Sequence, residues 1–106
     1  MSFFTSIPSV SVTEAAEATR ATDTVLIDVR TPEEYRELHA QGALNCPLPS
    51  LASCLSKLAH FKTVYVICQS GGRSARAVTE LIAQHINAKN VSGGTLAWRT
   101  HGLPIA

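Results

Sequence analysis

The chain has 106 residues, of which 45% are hydrophobic and 16% charged, and nine basic against eight acidic residues give a formal charge of +1. This length suits one ordinary domain, and the composition is that of a globular protein rather than a disordered chain. A charge so close to zero supplies no strong field for nucleic acid or for an acidic membrane surface, so neither is expected as a partner.

The first segment, Met1 to Val12, has neither the basic start nor the unbroken apolar stretch of a secretory signal. No run in the chain approaches the ~18 apolar residues that a membrane span needs. We therefore expect a cytoplasmic protein with one domain over residues 1–106.

The first half of the chain alternates strand and helix patterns. A strand is predicted over 10–12, and Thr13 is predicted to open a helix over 14–19. Val25 to Asp28 is an apolar run without polar alternation, which is typical of a strand buried on both faces. After it, Thr31-Pro32-Glu33-Glu34 offers an N-cap, a proline at the first helical position and a capping-box glutamate.

The second half repeats this order. Ala75, Val78, Leu81, Ile82 and His85 recur at three- and four-residue spacings, the stripe of a helix lying on a sheet. Alternating elements predict an α/β domain with a mostly parallel sheet and helices on both faces. The predicted elements are strands over 43–46, 63–68 and 90–92, a helix over 51–59 opened by Ser50, a helix opened by Arg73 or Ser74 that runs to Ile86, and a short helix around Trp98 after Gly93-Gly94.

Cys68 ends the most convincing central strand and is followed by a glycine-rich loop that leads into the longest helix. Ligands bind at this edge of open α/β sheets. Glycines let successive backbone N–H groups point inward, and the helix that follows adds its positive end. The loop is therefore predicted to be an anion cradle with a sulfur at its base; its residues are Gln69, Ser70, Gly71, Gly72, Arg73 and Ser74.

A cysteine in such a loop is expected to be a thiolate, because backbone donors, the helix terminus and Arg73 all favour the charged form. The thiolate can attack the outer sulfur of a donor such as thiosulfate, and the same N–H groups can hold the resulting persulfide until an acceptor removes the sulfur. This chemistry requires no metal and no organic cofactor.

The Cys68 loop resembles the active-site loop of single-domain rhodaneses, and three other segments agree with that family in the same order. Together these segments cover nearly the whole chain, so a chance match is improbable. The three segments are Leu26 to Arg30 with Glu33-Glu34-Tyr35, His39 with Gly42 to Asn45, and Gly93-Gly94 with Ala97-Trp98 and Gly102-Leu103-Pro104.

The resemblance implies a rhodanese-like fold with a central, mostly parallel five-stranded sheet. It also implies a thiosulfate sulfurtransferase with a persulfide on Cys68, an anionic sulfane-sulfur donor such as thiosulfate, and a thiophilic acceptor. Cyanide, a small thiol and a dithiol protein are all open as acceptors. The physiological donor, the oligomeric state and a partner domain are left open as well.

Two other functions are weighed against this one. Four residues separate Cys68 from Arg73, one fewer than in the loop of the related dual-specificity phosphatases and arsenate reductases. A shorter ring of N–H groups suits a single sulfur atom better than a tetrahedral phosphate ester. A binding or regulatory module without catalysis is the other alternative.

The remaining residues of interest support the loop or fill the core. Arg73 is expected either to bind an anionic donor or to brace the loop, and Ser70 and Ser74 either to cap the helix or to bond the sulfur. Asp28 is expected to fix the loop or pair with an arginine, because attack by a thiolate needs no base. Arg30 is expected to pair with Asp28 or Glu34, or to add positive potential.

The three cysteines are an odd number without the density of a disulfide scaffold, so at least one is expected to be a free thiol. Cys46 and Cys54 are expected to be apolar residues that fill the core. The alternative is that one of them is a resolving thiol, which forms a disulfide after oxidation. The four histidines are scattered without ligand spacing, and no metal site is predicted.

Overall fold

The structure, a computed structural model, describes residues 7–106. Within them, five strands form one parallel sheet in the order β1-β5-β4-β2-β3. The predicted α/β fold with a five-stranded parallel sheet is therefore confirmed. The elements in chain order are β1 Ser9–Val10, α1 Val12–Ala18, β2 Thr24–Asp28, α2 Pro32–Glu37, β3 Leu44–Asn45, a 3-10 turn Leu48–Ser50, α3 Leu51–Leu58, β4 Thr63–Ile67, α4 Gly72–Ala83, β5 Ala88–Val91 and α5 Gly94–Thr100.

The central strand β4 is buried along its whole length, which explains why its sequence shows no polar alternation. Val64 and Val66 face a core shared with α3 and α4, whereas Tyr65 and Ile67 face a second core shared with α1 and α5. Helices on both faces were predicted and are confirmed. Because Asp28 pairs with Ile67 in register, β2 and β4 end side by side, and Cys68 follows directly at that edge.

The predicted start of α1 is wrong. Ser11, not Thr13, is the N-cap, and its hydroxyl oxygen accepts the N–H of Glu14 at 3.1 Å. Val12 belongs to the helix rather than to β1, because in this register Val12 and Ala15 both turn into the core.

Helix α4 also differs from its prediction. It begins at Gly72 with Gly71 as N-cap, and it ends at Ala83 because His85 adopts a left-handed backbone with φ +62°. The predicted buried stripe is shifted, since Ile82 and His85 are exposed. The buried positions are Ser74, Ala77, Val78 and Leu81.

The other predicted elements are present with smaller differences in their bounds. The capping box of α2 is confirmed, with Thr31 and Glu34 exchanging side-chain and backbone hydrogen bonds. Strand β5 begins and ends earlier than predicted, because its pairing with β4 starts at Ala88. Strand β3 is limited to two residues, and α3 ends one residue early, at Leu58.

Cys46 and Cys54 form a disulfide, which corrects the expectation that they are unlinked apolar residues. The chain reverses through the 3-10 turn after β3, so α3 returns alongside Cys46 with 6.8 Å between the two Cα atoms. Cys68 is the free cysteine, as the odd count required. Disulfides are uncommon in reducing compartments, so this bond does not favour the expected cytoplasmic location.

We expect Cys54→Ser to lower the free energy of unfolding by about 2 to 3 kcal/mol, because the disulfide restricts a short loop in the unfolded chain. Urea unfolding of the oxidised wild type and of the variant measures this difference. The wild type with a reducing agent should match the variant, and the variant should not respond to the agent. An unfolding free energy of the wild type that is unchanged on reduction would contradict the disulfide.

Candidate active site

The loop after β4 curls around the sulfur of Cys68. The Sγ atom accepts the backbone N–H of Gly71 at 3.1 Å and the hydroxyl of Ser74 at 3.2 Å. Gly71 has φ +116°, a left-handed conformation that glycine adopts without strain and that turns its N–H inward. The Cys68 side chain is 1% exposed, with these donors on one side and the apolar core on the other.

These donors favour the thiolate. Burial raises the pKa of the Cys68 thiol, but hydrogen bonds from the Ser74 hydroxyl and from the backbone N–H groups of Ser74, Gly71 and Ser70 lower it by more. The pKa therefore lies below its ordinary value of 9.0. A larger fraction of Cys68 is ionised near neutral pH than for a free cysteine.

The start of α5 holds the backbone of the loop from the other face of the sheet. The N–H and the hydroxyl of Thr95 donate to the carbonyl of Cys68 at 2.8 and 3.0 Å, and the N–H of Leu96 donates to the carbonyl of Gln69 at 3.1 Å. Gly94 has φ +60°, and a Cβ there would lie 2.5 Å from the Cys68 carbonyl oxygen. Glycine at this position therefore permits the close approach that fixes Cys68.

Arg73 forms an ion pair with a carboxylate. Its two terminal nitrogens donate to the two carboxylate oxygens of Glu34 at 2.7 and 2.9 Å, so the pair links α4 to α2. The hydrogen bond from Arg73 is the main reason that the pKa of Glu34 falls to about 2; burial opposes it, and bonds from Thr31 add to it. Glu34 lies in a family signature but was not predicted as a partner of the loop.

Asp28 and Arg30 form a buried ion pair below the site. Asp28 is 0% and Arg30 3% exposed, and the Nε and Nη2 atoms of Arg30 donate to both Asp28 oxygens at 2.8 to 3.1 Å. Arg30 also donates to the carbonyl of Leu38 at 2.7 Å and lies 3.5 Å from the side-chain oxygen of Gln69. The pair contacts the loop through Gln69. Of the two expected partners, Arg30 pairs with Asp28, and Glu34 pairs with Arg73 instead.

A cavity of about 260 Å³ adjoins the loop at Gln69. Arg30 and Glu34 line it but are already paired. Within residues 7–106, Glu37 and Arg99 have no ion-pair partner, so the cavity presents one free charge of each sign. Its other lining residues are Leu38, Gln69, Thr95 and Leu96.

The remaining loop residues have simpler roles. The backbone N–H of Ser70 helps to lower the pKa of Cys68. Gly72 is the first residue of α4, and a Cβ at this position would meet no atom within 4 Å. No pattern in the sequence indicated Asn90, which lies on β5 and accepts the hydroxyl of Ser74. Among the residues that the structure describes, no group of three or more His, Cys, Asp or Glu side chains could hold a metal ion.

No helix within residues 7–106 is long and apolar enough to cross a membrane. One plant relative, described below, carries "chloroplastic" in its name. The cytoplasmic location therefore stays a prediction.

Comparison with known proteins agrees with the fold. The family model of the rhodanese-like domain matches residues 11–101. "Thiosulfate sulfurtransferase 16, chloroplastic" of Arabidopsis thaliana is 43% identical over 109 residues, covering 91% of this chain and 90% of that protein. A protein named "Sulfurtransferase" from Allochromatium vinosum is 36% identical over 84 residues, covering 78% of each chain.

A solved structure shows the same architecture. The rhodanese-related protein from Thermoplasma volcanium superimposes with a TM-score of 0.84 at 30% identity, covering 93% of this chain and 97% of that one. Sequence match and fold agree along the chain: it belongs to the rhodanese-like domain family, and its relatives include proteins named as sulfurtransferases.

Proposed function

We propose that this protein is a sulfurtransferase that carries the transferred sulfur as a persulfide on Cys68. The observation that supports this best is the pair of hydrogen bonds that Gly71 and Ser74 donate to the Cys68 sulfur. Such donors stabilise both a thiolate and the anionic persulfide that replaces it. The names of the two relatives support transfer of sulfur in general.

The proposed reaction has two steps. The Cys68 thiolate attacks the outer sulfur of thiosulfate, a sulfur–sulfur bond forms, and the original one breaks so that sulfite leaves with the electron pair. An acceptor nucleophile then attacks the outer sulfur of the persulfide. With cyanide as the acceptor the product is thiocyanate, and with a thiolate it is a new persulfide. In both cases the sulfur–sulfur bond at Cys68 breaks, and Cys68 returns to the thiolate.

Arg73 is the proposed contact for the anionic donor, and the cavity beside Gln69 is the proposed site of a small acceptor. Arg73 lies in the loop that surrounds the sulfur, and its pKa is raised mainly by the hydrogen bond to Glu34, with a smaller contribution from the Cys68 thiolate. The cavity beside Gln69 offers Arg99 and Glu37 as free charges next to two leucines. A small thiol with both a carboxylate and an ammonium group suits this lining as the acceptor.

Turnover with thiosulfate and cyanide tests the proposal, because the thiocyanate formed is measured by the colour of its complex with ferric ion. We expect thiocyanate in proportion to enzyme and no Cys68-dependent release of phosphate from an aryl phosphate. Release of phosphate would instead favour a phosphatase. Absence of both activities in the reduced, folded protein would favour a binding or regulatory module.

Glu34→Gln is expected to lower KM for thiosulfate by up to about fivefold. The substitution removes the charge that competes with the donor for Arg73, and a half-exposed ion pair is worth up to about 1 kcal/mol. Glutamine can still accept the hydrogen bonds from Thr31 that cap α2. Steady-state kinetics with thiosulfate as the varied substrate measure the change.

Glu33→Gln is the matched control, since Glu33 is an exposed carboxylate in the same first turn. It should leave KM unchanged. A fall in kcat at constant KM for Glu34→Gln would show that the ion pair positions the loop instead of competing with the donor.

A further inference from the structure

The hydroxyl of Ser74 faces three acceptors with a single hydrogen. Ser74 is fully buried, and its Oγ lies 3.2 Å from the Cys68 sulfur, 3.2 Å from the Gly71 carbonyl oxygen and 2.5 Å from the side-chain oxygen of Asn90. A hydroxyl carries one hydrogen, which points well at only one acceptor at a time. The sulfur and Asn90 therefore compete for the same donor.

The shortest contact indicates where the hydrogen lies when Cys68 is a neutral thiol. O–H···O bonds span about 2.5 to 3.0 Å between the oxygens, and N–H···O bonds are longer. The 2.5 Å contact is therefore a hydroxyl donating to the amide oxygen of Asn90. Because the sulfur of a thiol is a weak acceptor, the hydrogen stays with Asn90, and the Ser74 oxygen can accept the S–H of Cys68.

Ionisation of Cys68 reverses this preference. A hydrogen bond to a charged acceptor is about twice as strong as a neutral one, and the Ser74 oxygen already lies 3.2 Å from the sulfur. Rotation of the hydroxyl brings its hydrogen to the thiolate without movement of any heavier atom. The thiolate gains a donor, but the bond from Ser74 to Asn90 is lost.

Asn90 is held in place and cannot withdraw from this competition. It lies on β5, which pairs with β1 and β4, and it is 7% exposed. Its backbone N–H donates to the carbonyl of Pro8 at 2.8 Å. Its amide nitrogen lies 3.9 Å from the position that a Cβ of Gly71 would take, and the oxygen is left facing Ser74.

We propose that Asn90 is a positioning residue that competes with the Cys68 sulfur for the Ser74 hydrogen, so that this hydrogen reaches the sulfur only when the sulfur is charged. The competition stops the pKa of Cys68 from falling as far as the donors of the loop would otherwise take it. A thiolate with a higher pKa is the stronger nucleophile. The inference rests on the proposed role of Cys68 and names a residue outside the loop that adjusts its reactivity.

The pH dependence of Cys68 alkylation by iodoacetamide tests the competition, because only the thiolate reacts. With the disulfide intact, Cys68 is the thiol that is measured. Asn90→Leu should lower the apparent pKa by about half a unit, since ionisation no longer breaks a short bond to Asn90. Ser74→Ala should raise the pKa, since the thiolate loses a donor. An unchanged or higher pKa in Asn90→Leu would overturn the proposal.

A double-mutant comparison separates competition for the hydrogen from a direct effect of the amide on the sulfur. In a Ser74→Ala background, Asn90→Leu should no longer lower the pKa. Asn90→Asp holds the Ser74 hydrogen more firmly, so it should raise the pKa more with Ser74 present than without it, where only its charge acts. Equal shifts in both backgrounds would overturn the proposal, and Asn90→Asp keeps this comparison available if Asn90→Leu does not fold.

Asn87→Leu is the control, because Asn87 bonds Lys62 and Thr63 just before the opposite end of β5 and should leave the Cys68 pKa unchanged. The readout needs no sulfur transfer. A failed alkylation result therefore argues against the competition by Asn90, whereas absent thiocyanate formation argues against the proposed function.

Discussion

Cys68→Ser is expected to reduce thiocyanate formation by at least about a thousandfold. Serine keeps the size of the side chain but replaces an ionised, strongly nucleophilic sulfur with a hydroxyl that stays protonated at neutral pH. The hydrogen bonds from Gly71 and Ser74 then surround a neutral group. Initial rates with thiosulfate and cyanide measure the loss.

Cys54→Ser serves as the control for this comparison. Its sulfur is joined to Cys46, and it should retain the turnover of the wild type at temperatures where it stays folded. Appreciable turnover by folded Cys68→Ser would place the chemistry at another residue.

Asp28→Ala is expected to cost about 3 to 5 kcal/mol of the free energy of unfolding. The substitution leaves the Arg30 guanidinium buried without its carboxylate, and an uncompensated buried charge is among the most destabilising changes known. Urea unfolding followed by circular dichroism measures the loss. Sulfur transfer should fall at the same time, because Arg30 reaches the loop through Gln69.

The double variant Asp28→Leu with Arg30→Met tests the reason for this loss. Replacing both charges with apolar side chains removes the unpaired group, so the double variant should recover most of the stability that Asp28→Ala loses. If the double variant is as unstable as Asp28→Ala, the carboxylate supports the fold by other contacts, such as the bond it accepts from the backbone N–H of Arg30 at 2.9 Å.

The parts of this site that are local in sequence could be predicted. The loop from Cys68 to Ser74 joins a buried strand to a helix, and both its glycines and its cysteine lie within seven residues. The capping box at Thr31 was readable for the same reason. Hydrogen bonds between residues that are close in sequence require particular residue types at fixed spacings, and such spacings can be recognised in the sequence.

The parts that depend on the tertiary fold could not be predicted. Glu34 meets Arg73, and Asn90 meets Ser74, only after the sheet has brought distant segments together. The end of α4 was missed because His85, rather than glycine, takes the left-handed conformation there. The disulfide was missed because it depends on how tightly the chain reverses after β3.

The most direct measurement is the mass of the reduced protein after incubation with thiosulfate, taken first on the intact chain and then on its peptides. We expect a gain of one sulfur, about 32 Da, on the peptide that contains Cys68, and its loss when cyanide is added. No gain, or a gain confined to Cys46 or Cys54, would contradict a persulfide held by the loop.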